Sequence, residues 1–148
     1  MGIGANIVLS QNEGRNRPET QMYACYGFSI AWWAHWLTNV QLSADMLDNG
    51  LYMLFQKRKW MTETWFIKDP VAIFNWFGVN VKTVNKQPAE FQPRKRDIII
   101  AQWKAPGGIS HFTPADYKGR SLYDSWFSPE GGSRAVREGQ IISWRIFR

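Results

Sequence analysis

Hydrophobic and polar positions divide the chain into a helical first part and a strand-rich second part. Residues 25–37 are apolar on nearly every side, which predicts a buried helix. A second helix is predicted over residues 44–60, with Ser43 as its cap and Gly50 as an interruption. A third is predicted over residues 70–77, where an Asp-Pro pair starts the run and a glycine ends it.

The pattern after residue 78 changes to short β-rich runs separated by glycine-containing turns. The predicted strands are residues 79–84, 97–103, 109–117, 120–127 and 140–147. Short turns between successive strands favour hairpins, and therefore an antiparallel sheet. The order predicts an α+β fold in a single domain over residues 1–148, with N-terminal helices packed on one side of a C-terminal antiparallel sheet.

Composition is that of a globular protein, with 45% hydrophobic and 20% charged residues. The single cysteine cannot form an internal disulfide, and with only two histidines a zinc site would need added carboxylates, so we expect no metal or other cofactor. No signal peptide and no membrane span are recognisable, which favours a cytoplasmic location. Export without a signal, for example by phage-driven lysis, stays open.

Two clusters contribute much of the net charge of +6, residues 57–59 and residues 94–96. We interpret both as solvated turns. The alternative is an acidic partner, such as nucleic acid or an anionic cell surface.

Cys25 stands at the predicted start of the first helix. Unpaired backbone N–H groups at a helix N-terminus favour an anion, and the thiolate is the reactive form of cysteine. The alternative is that Cys25 is a small core residue, because free cysteine is among the most buried residue types.

Two histidines are candidate partners of this thiol. His35 lies ten residues along the same helix, about 15 Å away, which is too far for a hydrogen bond and indicates a structural role. His111 lies in a predicted strand and shares a face with Ile109 and Thr113, and we expect that face to turn toward the first helix.

Asp124 is the candidate acceptor for His111, thirteen residues later in the next predicted strand. Two antiparallel neighbours would place the two side chains together, and a carboxylate among apolar residues needs a partner. Asp116 competes for this role, but its "TPADY" context favours a turn.

Two segments of the chain resemble papain-like cysteine peptidases. "ACYGFS" (24–29) is similar to the nucleophile segment of that family, and "DSW" (124–126) is similar to its Asn-Ser-Trp string with Asp in place of Asn. The order Cys, His, Asp also matches. The short spacing between Cys25 and His111 is nearer to compact bacterial and phage members, including bacteriocin-processing peptidases.

The resemblance implies a papain-like fold with the nucleophile at a helix N-terminus, and a role for each site residue. Cys25 would be the nucleophile, His111 its acid and base, and Asp124 the group that orients the imidazole. Gln21 would join the Cys25 backbone N–H in the oxyanion hole, although the family places this Gln six residues before the nucleophile rather than four. Trp126 would shield the site.

We therefore predict a thiol-dependent hydrolase that acts on a peptide or protein, as a peptidase or isopeptidase. One alternative is a peptidoglycan amidase or endopeptidase on the same scaffold, for which the basic charge suits an anionic cell wall. Another is a catalytically inactive module that binds nucleic acid through aromatic and basic residues in "FQKRKWMTETWF". Helical spacing of those aromatics favours a core instead, so nucleic acid is not the expected partner. The oligomeric state is not predicted.

Overall fold

Four stretches of the chain are described by the computed structural model: residues 25–63, 66–104, 110–125 and 134–148. They form a mixed fold of N-terminal helices and an open four-stranded antiparallel sheet. The predicted α+β class is confirmed.

Two helical regions begin at the capping residues that the sequence predicts. Ser43 Oγ accepts from the backbone N–H of Met46 at 3.2 Å, and the Asp69 side chain accepts from Ala72 at 3.0 Å. Gly50 lies in a π-helical turn rather than in a break, so the second helical region is continuous. The helices are α1 (Cys25–Thr38), α2 (Ala44–Met46), the π turn (Leu47–Leu51), α3 (Tyr52–Lys57), α4 (Pro70–Trp76) and α5 (Arg134–Glu138).

The sheet has the strand order β1-β4-β2-β3, and all its neighbouring strands are antiparallel. Its strands are β1 (Val84–Pro88), β2 (Ile98–Lys104), β3 (Ser110–Ala115) and β4 (Gln140–Phe147). Three of them closely match predicted strands, and β1 shares only Val84 with one. In this order β3 is an edge strand, with one side left for a helix or loop to cover.

The predicted strand at residues 79–84 is displaced. Val79 and Val81 are buried, as the alternation predicts, but the paired strand begins only at Val84. Val84 pairs with Phe147, the last residue of β4, and Thr83 still exchanges backbone hydrogen bonds with Arg148 at 3.0 and 3.1 Å. The hydrophobic alternation of residues 79–84 therefore predicted correctly which valines are buried, but it did not predict where the paired strand begins.

The predicted strand at residues 120–127 is wrong in its described part. A single bridge joins Ala115 to Ser121, and the Leu122 N–H then donates to the carbonyl of Pro114 at 2.9 Å. That carbonyl lies on the outer side of β3, and proline has no N–H there to offer a fifth strand. After this single bridge the chain therefore leaves the edge of the sheet.

Two clusters of buried residues cover the two faces of the sheet. Ile100 and Phe147 join the N-terminal helices in the larger cluster. Their neighbours Ile99 and Ile146 point the other way and pack with Ala135 of α5. The N-terminal helices thus pack as predicted, while α5, which was not predicted, lies against the opposite face.

Candidate active site

The N-terminal end of α1 lies beside the outer edge of β3. Cys25 is the first residue of α1 and is only 6% exposed. The buried Ser29 hydroxyl lies 2.8 Å from the carbonyl oxygen of Cys25 and 3.2 Å from that of Phe112 in β3. Ser29 therefore ties the helix end to the edge strand at the place where the thiol is held.

Gly27 allows α1 to approach α3 closely. A Cβ atom added at Gly27 would lie 2.5 Å from the hydroxyl oxygen of Tyr52, well inside van der Waals contact. Tyr52 is itself 1% exposed and cannot move away freely. The glycine after the Cys-Tyr pair thus has a packing function, and it sets how α1 presents Cys25.

His111 and Asp124 form the shortest side-chain pair of the site. Nε2 of His111 lies 2.6 Å from Oδ1 of Asp124, and the two side chains are 0% and 8% exposed. A turn closed by Asp116 and by Gly119, whose φ is 85°, brings the chain back toward β3. The turn, rather than a paired strand, places the carboxylate against the imidazole.

The Cys25 thiol also lies close enough to the imidazole of His111 to raise the pKa of that ring. Burial alone would lower the pKa of His111, but its hydrogen bonds and charge interactions with Asp124 and Cys25 outweigh burial and raise the pKa to about 9. The site therefore favours an imidazolium between two groups able to carry negative charge.

The predicted orientation of the β3 faces is wrong for Thr113. Thr113 accepts from Trp103 Nε1 at 2.9 Å, and Trp103 belongs to the cluster on the face opposite the N-terminal helices. Phe112 instead packs against Tyr26 of α1, with ring centroids 4.8 Å apart. His111 approaches Cys25 at the outer edge of β3, because the N-terminal end of α1 lies beside that edge.

The remaining sequence candidates fall into two groups. Gln21 and Trp126 lie outside the described residues. Asp116 is a turn residue, as predicted, since it pairs with Arg120 at 2.7 Å and accepts backbone N–H bonds. Burial alone would raise its pKa, but these bonds outweigh burial and lower it. His35 is buried at the far end of α1 and takes no part in the site.

A cleft of about 670 Å³ opens beside Cys25. Sequence reasoning identified only one of its lining residues, the cysteine. The signal that was missed is Arg145, a lone cation in the β-rich run "QIISWRIF". The cleft is lined by Cys25, Tyr26, Phe66, Ile67, Pro70, Val84, Lys86, Gln102, Ser110, Phe112 and Arg145.

Comparison with known proteins places the chain in one family. Residues 7–148 match the family described as "Protein of unknown function, DUF261". The chain belongs to this family. No curated protein and no solved structure matches it. The family description assigns no activity.

Three other predictions concern the basic clusters, membrane spans and metal ligands of this DUF261 member. The basic clusters at residues 57–59 and 94–96 are exposed and lie at turns, as predicted, and neither lines the Cys25 cleft. In the described segments, no helix combines the length and apolar character needed to cross a bilayer. The same segments hold no group of three or more His, Cys, Asp or Glu side chains placed for a metal ion.

Proposed function

We propose that this protein is a thiol-dependent hydrolase of amide bonds, a papain-like peptidase or isopeptidase. The observation that carries the proposal is the convergence of three side chains: His111 Nε2 lies 2.6 Å from Asp124 Oδ1, and Cys25 is close enough to raise the pKa of the imidazole. These side chains come from a helix start, an edge strand and the loop after it. A buried nucleophile, base and orienting carboxylate in contact are the arrangement that acyl transfer to a thiol requires.

The first half of the proposed reaction forms a thioester. The thiolate of Cys25 attacks the amide carbon, a C–S bond forms, and the carbonyl electron pair moves onto oxygen. As the tetrahedral species collapses, the C–N bond breaks and the imidazolium of His111 gives its proton to the departing amine. Asp124 holds the ring in the orientation that serves both the sulfur and the leaving group.

The second half releases the acyl group. Neutral His111 takes a proton from water, and the resulting hydroxide attacks the thioester carbon. The C–S bond then breaks, the acid is released, and the thiolate and imidazolium are restored. Because Asp124 is almost fully buried, its attraction to the imidazolium is weakly screened by solvent, which favours the charged pair in the resting site.

The arrangement of elements supports the papain-like form of this proposal. A helix that starts at the cysteine lies against an antiparallel sheet, the histidine is on an adjacent strand, and the carboxylate follows in the chain. Asp124 stands where papain-like peptidases carry Asn or Asp.

Alkylation of Cys25 by iodoacetamide tests the proposal directly, because the protein has no other cysteine. We expect reaction at about pH 5–6, where a free thiol is almost entirely protonated. Loss of modification in Cys25→Ala is the control for specificity. If alkylation appears only above about pH 8, as for a free thiol, Cys25 is not an activated nucleophile.

A further inference from the structure

A half-buried arginine lies in the cleft and is fixed in place by neutral groups. Nη1 of Arg145 donates to Ser143 Oγ at 2.8 Å, and Nη2 lies 3.4 Å from Gln102 Oε1. The guanidinium carbon is 5.4 Å from the ring centroid of Phe112. Ser143 also donates to Gln102 at 2.7 Å, which orders the whole group. The cation is thus positioned before any ligand arrives.

The charge of Arg145 has no carboxylate partner among the described residues. Its phenolic neighbour Tyr26 is neutral at physiological pH, because burial raises the pKa of that hydroxyl despite the opposing influence of Arg145. The contrast is with Arg148, which is more exposed and yet pairs with Asp97 at 3.1 Å. A partly desolvated cation without a counter-ion is costly, and its cost is offset when an anion binds.

A second cation, Lys86, lies directly opposite Arg145 on the neighbouring strand. Lys86 of β1 is the Cα partner of Arg145 of β4, so the two side chains share one face of the sheet. Lys86 is exposed and lines the same cleft as Arg145 and Cys25. No acidic side chain of the described segments lines this cleft, whose remaining walls include Phe66 and Ile67.

We propose that the cleft selects substrates that carry a carboxylate close to the bond attacked by Cys25. Arg145 is the specificity-determining residue, and Lys86 adds to the positive electrostatic potential of the cleft. Gln102 and Ser143 are positioning residues that hold the guanidinium. The inference rests on the proposed function for the reaction itself, while the recognition of a carboxylate is measurable without any turnover.

Two alkylating agents of nearly equal shape make that measurement. Iodoacetate and iodoacetamide both form a C–S bond with the cysteine and release iodide, but only iodoacetate carries a carboxylate. We expect Arg145→Met to lower the ratio of the iodoacetate rate to the iodoacetamide rate by roughly three- to tenfold. The ratio in the unaltered protein should fall as salt is added, because screening weakens the attraction.

Arg96→Met is the matched control, since it removes the same charge from an exposed turn outside the cleft. Its ratio should equal that of the unaltered protein. Lys86→Met supplies a second variant at an exposed position, where folding is not at risk, and should lower the ratio by a smaller factor. If neither cleft variant changes the ratio more than Arg96→Met does, the inference is overturned.

The ratio of the iodoacetate rate to the iodoacetamide rate also tests carboxylate recognition independently of the proposed function. Should Cys25 fail to react with iodoacetamide at acidic pH, the nucleophile proposal fails, and the ratio measured at alkaline pH still decides whether the cleft attracts a carboxylate. Normal acidic reactivity with an unchanged ratio leaves the nucleophile and removes the carboxylate selectivity.

Substrate pairs identify the source of the carboxylate. One arm compares peptides that differ only by Glu against Gln beside the scissile amide, and the other compares cell-wall stem peptides with free or amidated carboxyl groups. Faster cleavage of the acidic member in the first arm indicates a polypeptide substrate, and in the second a cell-wall substrate. Equal rates for both members in both arms contradict the inference.

Discussion

The two ends of α1 both involve a fully buried histidine, but with very different partners. At the C-terminal end, His35 Nδ1 lies 2.5 Å from the carbonyl oxygen of Val40, five residues further along the chain. At the N-terminal end, His111 comes from β3 and contacts Asp124 and Cys25. Both imidazoles are 0% exposed. Burial therefore does not distinguish the two histidines, whereas the carboxylate and the thiol that distant segments bring to His111 do.

The contrast also lies in how each contact is made. The bond of His35 is local, so the helix end provides it as soon as α1 forms. The contact between His111 and Cys25 joins residues 86 positions apart and exists only when β3 is docked on α1. The N-terminal end of α1 is thus a product of tertiary structure, and its chemistry should be more sensitive to substitution than that of the other end.

Replacing each histidine by glutamine gives the largest expected difference between the two ends. In the proposed mechanism His111→Gln removes the imidazolium that serves Cys25, so we expect alkylation of Cys25 by iodoacetamide at about pH 5–6 to slow by about 100-fold or more. His35→Gln should leave that rate nearly unchanged, even if it lowers stability. Equal losses in the two variants would mean that His111 acts on Cys25 only through the fold.

The pH dependence of stability is a second and smaller difference. The pKa of His111 is raised above its ordinary value of 6.5 to about 9. Its protonated form therefore adds stability that is fully present below about pH 6.5 and is lost as the pH rises through about 9. Urea unfolding should show the free energy of unfolding falling by about 1–3 kcal/mol across this interval.

The two histidine variants sharpen the same measurement. His111→Gln should flatten the decline between pH 6.5 and 9, because it removes the imidazole that pairs with Asp124. His35→Gln should retain the decline, because it leaves that pair intact. A decline of the same slope in His111→Gln would assign it to other groups and contradict the linkage.

Two side chains of the candidate site could be proposed from local sequence because each belongs to a short recognisable string. "ACYGFS" and "DSW" predict Cys25 and Asp124, and a histidine in a strand between them completes the set. The helix starts were equally predictable, since Ser43 and Asp69 carry the acceptor that a first turn needs. In each of these cases the signal lies within a few residues of the feature.

The parts that were not predictable depend on pairings between distant segments. The register that sets Lys86 opposite Arg145 cannot be predicted from the sequence of either strand alone. The same holds for the edge of β3, where Pro114 blocks a fifth strand and leaves room for the loop that carries Asp124. The cleft is built from such pairings, which explains why its cationic side was missed while its cysteine was found.

The smallest expected difference concerns two hydroxyl groups at the two ends of α1. Ser29 and Thr38 each donate to the carbonyl four residues earlier, at 2.8 Å to Cys25 and 2.6 Å to Ala34. Only Ser29 also reaches across to Phe112, and only Ser29 is buried. We expect Ser29→Ala to lower the free energy of unfolding by about 1–2 kcal/mol, and Thr38→Ala by less than about 0.5 kcal/mol.

Urea unfolding of the two alanine variants provides the comparison, and Cys25 alkylation shows what the Ser29 bond does for the site. Loss of the bridge to β3 lets the helix start move relative to His111, so acidic alkylation should slow a few-fold in Ser29→Ala and stay constant in Thr38→Ala. If Ser29→Ala is destabilised but alkylates at the normal rate, the bridge stabilises the fold without positioning the thiol. In that case the contact with His111 must be maintained by the packing of Tyr26 on Phe112.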